Sequence, residues 1–329
     1  MKIHILSSLL VVFSISGVTL GLDLQSGLDT IQNVPLNVIG PSNESLSDTQ
    51  KDLSKRVFFY LYTRDTQNNP EMLYVDDPNT LKQSRFDPKK KTVFITHGWA
   101  TSCSSESCNK VREEYQKHGD YNVIVVDWSK ISKMSYLEAV KRVQMVAEYV
   151  AVMIDILNRE RVLPELILVG HSLGAQIVGL AGYNAKSEVD YVVGLDPAYP
   201  LFNFASPSHR LSTESAKFVL AIHTNAGLNG FLTPIAHCDV YANDGITQPG
   251  CGTNVSCSHG RAYEYFAESI NSEVGFWARQ CDNSLEFRTG LCNLHPLVRV
   301  AGAEPDVNIK GVYYVKTRSS PPYALGRNN

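Results

Sequence analysis

The stretch "LILVGHSLGAQIVGLAG", Leu166 to Gly182, joins two apolar runs through a serine flanked by glycines. A short continuous apolar run is typical of a strand buried on both faces, and "AQIVGLAG" predicts a following helix. The residues between them, Gly170 to Gly174, fit the G-x-S-x-G pattern of a sharp strand-to-helix turn that exposes its serine. Side chains on the flanks would collide in such a turn, and the helix would place its positive end near Ser172. This context predicts that Ser172 is a nucleophile rather than only a small residue in a turn.

Similar apolar runs lie on both sides of this stretch, and helical patterns separate them. The runs cover Val57–Arg64, Lys91–Gly98, Asn122–Trp128, Glu165–His171, Val189–Asp196 and Lys217–Thr224. The longest helical pattern, Tyr136 to Glu160, has apolar residues at spacings of three and four. Strands that alternate with helices in this way imply a mostly parallel central sheet covered by helices on both faces. Together with the serine turn, this order predicts an α/β-hydrolase fold.

The composition is that of an ordinary globular chain. It has 329 residues, 43% of them apolar and 19% charged, which is sufficient for one large domain with a buried core. The formal net charge of −3 gives no basis for a nucleic-acid partner. The basic run Pro88 to Lys91 is interpreted as a solvated loop before a strand.

The first 21 residues follow the order of a secretory signal peptide. Lys2 precedes an apolar run that ends in small residues, which predicts cleavage near Gly21. A membrane anchor is the alternative, but the run is short for a bilayer span. Residues 22–52 are polar and turn-rich and predict a variable, flexible segment, whereas residues 53–329 predict a single catalytic domain. The protein is therefore expected to be secreted and extracellular.

The seven cysteines leave at least one without an intramolecular partner. The simplest assignment is three local disulfides, Cys103–Cys108, Cys251–Cys257 and Cys281–Cys292, with Cys238 left over. No CxxC pair or histidine cluster suggests a zinc site. Sequons predict glycans at Asn43 and Asn254.

A serine nucleophile needs a carboxylate and a histidine, which follow it along the chain in this fold. Asp196 ends the run "VDYVVGLD", and Pro197 stops the strand directly after it, so Asp196 is the predicted acid. Asp127 also ends a strand but precedes the serine. Asp239 and Asp244 are predicted to lie in a loop.

The base is harder to choose, because five histidines follow the acid. They are His209, His223, His237, His259 and His295. His223 lies near a strand end, where a packed, hydrogen-bonded histidine is the common outcome. His259 is favoured because a disulfide at Cys257 and a helix after it would hold its backbone in place.

Acyl transfer also needs two donors aimed at the developing oxyanion. The N–H of Leu173, directly after the nucleophile, is the first candidate. The second is the N–H of Trp99 in "THGWATS", where Gly98 would let the loop approach closely.

Five segments together resemble the animal pancreatic-lipase family, especially its insect and phospholipase A1-type members. They are "HGW", "GHSLGAQIVGLAG", "GLDPAYPLF", "QPGCG" and "CSHGRAYEYFAESI", and the resemblance runs from about Arg56 to the end. It implies a secreted hydrolase of lipid esters with Ser172, Asp196 and His259 as its triad and Trp99 and Leu173 as oxyanion donors. Non-catalytic yolk-type proteins on the same scaffold are the alternative, but such proteins have lost the triad.

Three departures from the longer members of that family refine this expectation. The lid remnant consists only of Cys251, Gly252, Thr253, Asn254, Val255, Ser256 and Cys257. A loop this short predicts an open site and favours phospholipase A1 activity over triacylglycerol lipase activity. In "SPSHRLSTES", Pro207, Ser212 and Ser215 stand where carboxylates would bind calcium, so no metal or other cofactor is expected. The chain also stops where those members begin a C-terminal β-sandwich domain, so a monomer without a colipase-type partner is expected.

Overall fold

The computed structural model describes residues 52–159 and 162–327. The predicted signal peptide, nearly all of the predicted variable segment and the sequon at Asn43 lie outside these residues.

A single sheet of eleven strands dominates the described part of the chain. The strands are β1 Phe58–Tyr62, β2 Glu71–Leu73, β3 Thr92–Thr96, β4 Asn122–Asp127, β5 Leu166–His171, β6 Tyr191–Leu195, β7 Phe218–His223, β8 Cys238–Ala242, β9 Phe276–Gln280, β10 Leu297–Val300 and β11 Gly311–Val315. Their order across the sheet is β10-β9-β11-β8-β7-β6-β5-β3-β4-β1-β2. Seven neighbouring strands in this order are parallel to one another: β11, β8, β7, β6, β5, β3 and β4. The strands on either side of them, β9 and β10 at one edge and β1 and β2 at the other, pair antiparallel. This mostly parallel sheet confirms the predicted α/β-hydrolase fold.

Helices cover both faces of the sheet, as the continuous apolar runs predicted. They are α1 Pro78–Gln83, α2 Glu106–His118, α3 Ser129–Ser132, α4 Tyr136–Leu157, α5 Leu173–Asn184, α6 Val255–Asn271 and α7 Ser284–Thr289. Phe94 of β3 packs in the core beneath α4 and α5, whereas its neighbours Val93 and Ile95 pack beneath α2 and α6. Successive side chains thus enter opposite cores, so both must be apolar. No helix among the described residues is long and apolar enough to cross a bilayer.

The strand register places Ser172 and Asp196 at the carboxyl ends of neighbouring parallel strands. Thr96 of β3 pairs with Gly170 of β5, and His171 of β5 pairs with Leu195 of β6. Ser172 and Asp196 therefore both lie one residue beyond paired strand ends. Carboxyl edges of parallel strands are where this class of fold places its ligand sites.

The cysteines correct one prediction. The structure contains the disulfides Cys251–Cys257 and Cys281–Cys292, with Cα–Cα distances of 5.5 and 5.6 Å. The predicted Cys103–Cys108 disulfide is wrong, because neither cysteine forms a disulfide and each thiol has a different hydrogen-bond partner. The Cys103 thiol hydrogen-bonds to a carboxylate at the end of β4, and the Cys108 thiol bonds to neighbouring serines. Burial raises the pKa of each thiol to about 12, which keeps both protonated.

A second prediction fails at Asp239. The sequence predicted a loop there, but Asp239 lies inside β8 and is buried. The run "CDVYA" is short and is interrupted by a charge, so its pattern did not indicate a buried strand.

Candidate active site

Ser172 occupies a tight turn between β5 and α5. Its backbone has φ 59° and ψ −122°, a region of backbone conformation that residues other than glycine rarely adopt. A Cβ on Gly170 would lie 2.2 Å from the carbonyl oxygen of Gly174, and one on Gly174 would lie 2.5 Å from that of His97. The turn therefore requires glycine on both flanks, for the steric reason expected from the motif.

Two backbone N–H groups are available beside the serine. Leu173 is the first residue of α5, so its N–H has no partner within the helix. In the loop after β3, a Cβ on Gly98 would lie 2.9 Å from the Cβ of Ser172, which shows how closely this loop approaches the nucleophile. Among the described residues neither the Leu173 N–H nor the Trp99 N–H has a recorded acceptor. Free donors on either side of a serine are the arrangement that an oxyanion hole requires.

A buried histidine holds the loop that carries Trp99. One ring nitrogen of His97, Nδ1, lies 2.9 Å from the carbonyl oxygen of Gly98, and the other, Nε2, lies 3.1 Å from Oδ1 of Asp127. The indole N–H of Trp128 donates to the carbonyl oxygen of His97 at 2.9 Å. Burial opposes ionisation of Asp127, but the hydrogen bonds it accepts lower its pKa far below the usual range. Asp127, which sequence reasoning set aside as the catalytic acid, thus helps to hold the loop that carries Trp99.

Asp196 is a buried carboxylate with three hydrogen-bond donors around it. Its side chain is fully buried at the end of β6, with φ 45°. Oδ1 accepts the backbone N–H groups of Thr224 at 2.8 Å and Asn225 at 3.0 Å. Oδ2 accepts the Nδ1–H of His259 at 2.5 Å. A buried carboxylate needs partners for its lone pairs, and these three donors supply them.

His259 lies in the second turn of α6 and is half-buried. Its Nδ1–H donates to Asp196, which leaves Nε2 of the neutral ring with a lone pair. Among the described residues, the structure records no hydrogen bond between the Ser172 hydroxyl and His259. Such contacts are often long in the absence of substrate and tighten when the reaction begins. The ring of the neighbouring residue His171 lies 4.5 Å from the His259 ring, so His259 is next to the residue that precedes the serine.

The other candidate bases have different partners. His223 is fully buried, and its Nε2 lies 2.9 Å from Oδ1 of Asp239, while its Nδ1–H donates to the carbonyl oxygen of Phe231. His237 accepts the N–H of Val219 and stacks on Phe218. The remaining two, His209 and His295, bond to surface groups. None of these four bonds to Asp196 among the described residues.

Comparison with known proteins identifies the family. A family model described as Lipase matches residues 29–323. This chain belongs to the lipase family.

Its relatives include pancreatic lipase and pancreatic lipase-related proteins of mammals. Pancreatic lipase-related protein 2 of Cavia porcellus is 34% identical over 257 residues, covering 76% of this chain and 59% of the relative. Inactive pancreatic lipase-related protein 1 of Homo sapiens is 34% identical over 264 residues, covering 71% and 56%. Pancreatic triacylglycerol lipase of Sus scrofa is 32% identical over 268 residues, covering 74% and 59%. The chain thus spans less than two thirds of the length of these relatives, one of which is described as inactive, and its activity must be inferred from its own site.

The lid remnant of this lipase-family chain is partly helical. After the turn at Gly252, helix α6 begins at Val255, still inside the loop closed by Cys251–Cys257. The side chain of Asn254 caps the helix by accepting the N–H of Cys257 at 3.0 Å. Residues 252–256 are all exposed. The short loop therefore acts as the start of the helix that carries His259.

Sequence reasoning missed one residue of this site in the lipase-family chain. Gly230 lies against the Asp196 carboxylate, and a Cβ there would lie 2.2 Å from Oδ1. Its backbone φ is not in the left-handed region, so no turn signal marks it in the sequence. Close approach alone requires glycine at this position.

We expect Gly230→Ala to reduce kcat about 100-fold, because the new methyl group must displace Asp196 and with it His259. The measurement is kcat on a soluble ester together with the midpoint of thermal unfolding. Gly227→Ala is the matched control in the same loop: its φ of 81° strains any side chain, but its Cβ would lie 3.5 Å from Leu232 and away from Asp196. Equal kcat in the two variants would contradict the prediction.

Proposed function

We propose that the chain is a serine carboxylic ester hydrolase that acts on lipids. The observation that carries this proposal is the 2.5 Å hydrogen bond from His259 to the buried Asp196, beside a strained serine. The bond holds the imidazole in the tautomer whose Nε2 can accept a proton. Two free N–H groups flank the same serine, so nucleophile, base, orienting acid and oxyanion donors are all accounted for.

The mechanism follows from these roles. Ser172 Oγ attacks the ester carbonyl carbon while His259 Nε2 takes its proton. The N–H groups of Trp99 and Leu173 stabilise the negative charge on the carbonyl oxygen. His259 then gives the proton to the leaving alcohol, and an acyl-enzyme remains on Ser172. Water, deprotonated by His259, hydrolyses this ester and restores the serine.

Exposed apolar side chains support a lipid substrate. Several lie on loops that follow the carboxyl ends of β3, β6, β7 and β8 or at the start of α6: Trp99, Phe204, Leu228, Leu232, Ile246 and Val255. Phe204 has 81% of its surface exposed, a large fraction for a phenylalanine. Apolar surface at the mouth of a catalytic site favours substrates that present acyl chains.

The short lid supports phospholipase A1 activity, the hydrolysis of the sn-1 ester of glycerophospholipids. Five residues lie between Cys251 and Cys257, too few to cover a hydrophobic groove. An open site leaves room for a charged headgroup. Triacylglycerol lipase activity is the alternative, and a non-catalytic lipid-binding protein is a remote one. The proposal includes secretion, a catalytic domain within residues 53–329 and a glycan at Asn254.

The test compares two substrates with the secreted protein. We expect faster acyl release from phosphatidylcholine labelled in its sn-1 chain than from a long-chain triacylglycerol, each presented in the same detergent micelles. Release from the triacylglycerol alone would overturn the phospholipase assignment. A fluorophosphonate probe that fails to label Ser172 would instead favour the non-catalytic alternative.

A further inference from the structure

His171 lies directly before the nucleophile and has no part in the mechanism described above. Its Nε2–H donates to the backbone carbonyl oxygen of His259 at 3.1 Å. Its ring contacts the His259 ring with a centroid distance of 4.5 Å and an interplanar angle of 44°. On the other side, Tyr263 of α6 packs edge-on against it at 5.2 Å. The side chain is therefore enclosed between the nucleophile turn and the helix that carries the base.

These contacts join two elements whose relative position matters for the proposed reaction. Ser172 is held by the turn after β5, whereas His259 is held by α6, more than eighty residues later in the chain. The Asp196 carboxylate holds one nitrogen of the His259 ring, and backbone hydrogen bonds from Ser172 to Leu195 and from Ala198 to Ser172 join the acid segment to the serine turn. His171 adds a direct contact between the residue before the serine and His259, with a hydrogen bond to the backbone and a ring contact to the side chain.

We propose that His171 is a positioning residue for His259, and that its imidazole fixes the base relative to the adjacent nucleophile. This inference rests on the proposed function, because it assigns a role toward the base of that same triad.

The protonation state of His171 agrees with this role. Burial, followed by the nearby His259, lowers the pKa of His171 well below its ordinary value. The titratable groups that face it are His259 and Tyr263, and the Tyr263 hydroxyl donates to Glu106 while Lys110 lies over its ring. A neutral His171 adds no like charge when His259 takes the serine proton. A cation at this position would oppose that step.

The test uses two variants that separate the aromatic ring of the imidazole from its hydrogen-bond donor. His171→Phe retains an aromatic ring without a donor, and His171→Gln retains a neutral donor without the ring. We expect His171→Phe to reduce kcat on a soluble ester on the order of 10- to 100-fold with KM nearly unchanged, since small displacements of a base are costly. His171→Gln should recover most of that loss. His118→Phe, at an exposed histidine that ends α2, is the control and should retain wild-type kcat.

The outcomes separate this inference from the proposed function. A wild-type protein that neither hydrolyses the ester nor reacts with a fluorophosphonate refutes the function itself. If the wild type is active and His171→Phe has the same kcat, or if His171→Gln loses as much kcat as His171→Phe, the positioning role is wrong. Should His171→Phe fail to fold, His171→Ala compared with His171→Gln provides the same contrast.

Discussion

Ser172→Ala is expected to reduce ester hydrolysis about 10⁶-fold, the loss typical of a removed triad serine. Alanine has the same Cβ, so the strained φ of 59° and the contact with Gly98 are unchanged and the fold should persist. What disappears is the oxygen that forms the acyl-enzyme. The measurement is kcat on a soluble ester at enzyme concentrations high enough to detect residual activity, with circular dichroism to verify the fold.

The chain offers a matched control for this variant. Ser206 is exposed, and its Oγ lies 2.8 Å from Nδ1 of His209, so a serine and a histidine are also paired there. No carboxylate orients that histidine among its recorded contacts, and Ser206 does not lie in a strained turn. Ser206→Ala should therefore retain wild-type kcat. Wild-type activity in Ser172→Ala would remove the central claim.

Asp196→Asn is expected to reduce kcat about 10⁴-fold, because an amide at this position favours the wrong tautomer of the base. Two backbone N–H groups occupy Oδ1, so the oxygen of asparagine takes that place and its NH₂ group faces His259. The imidazole must then accept at Nδ1 and carry its proton on Nε2, where it cannot take the proton of Ser172. The measurement is kcat across a pH series, together with the midpoint of thermal unfolding.

A control for this variant lies at the opposite end of the same strand. Asp190 precedes β6 and pairs with Lys217 at 2.9 Å at the surface. Asp190→Asn removes a carboxylate of equal size but should change kcat less than twofold, because surface ion pairs contribute little. An Asp196→Asn variant with more than a tenth of wild-type kcat would show that another carboxylate orients the base.

The central strands could be predicted because their environment is simple. Runs such as "TVFIT" and "VVGL" are buried on both faces, so their central residues are all apolar and the pattern is visible without knowledge of neighbours. The outer part of the sheet was not predicted. In β9 and β10 exposed and buried residues are mixed, as in "FWARQ" and "LVRV", so no continuous apolar run marks them.

Local sequence determined the nucleophile turn and the acid. Gly170 is required because a Cβ there would meet Gly174 four residues later, and Pro197 ends β6 directly after Asp196. Both are short-range effects, so a single segment contains the information, whereas the requirement for glycine at Gly174 comes from the distant loop of His97. The resemblance of five segments to a family then extended the assignment to His259.

Only the tertiary structure decided which groups meet. Asp239 lies in a strand and pairs with His223, which leaves His259 as the partner of Asp196. The contacts of Gly230 with Asp196 and of His171 with His259 join segments separated by 34 and 88 residues. The residues next to Gly230 and His171 in the sequence do not indicate these contacts, because the contact partners lie on distant segments of the chain. The sequence by itself determined the fold and the turn that carries Ser172, while packing between distant loops decided how His259 and Asp196 are held.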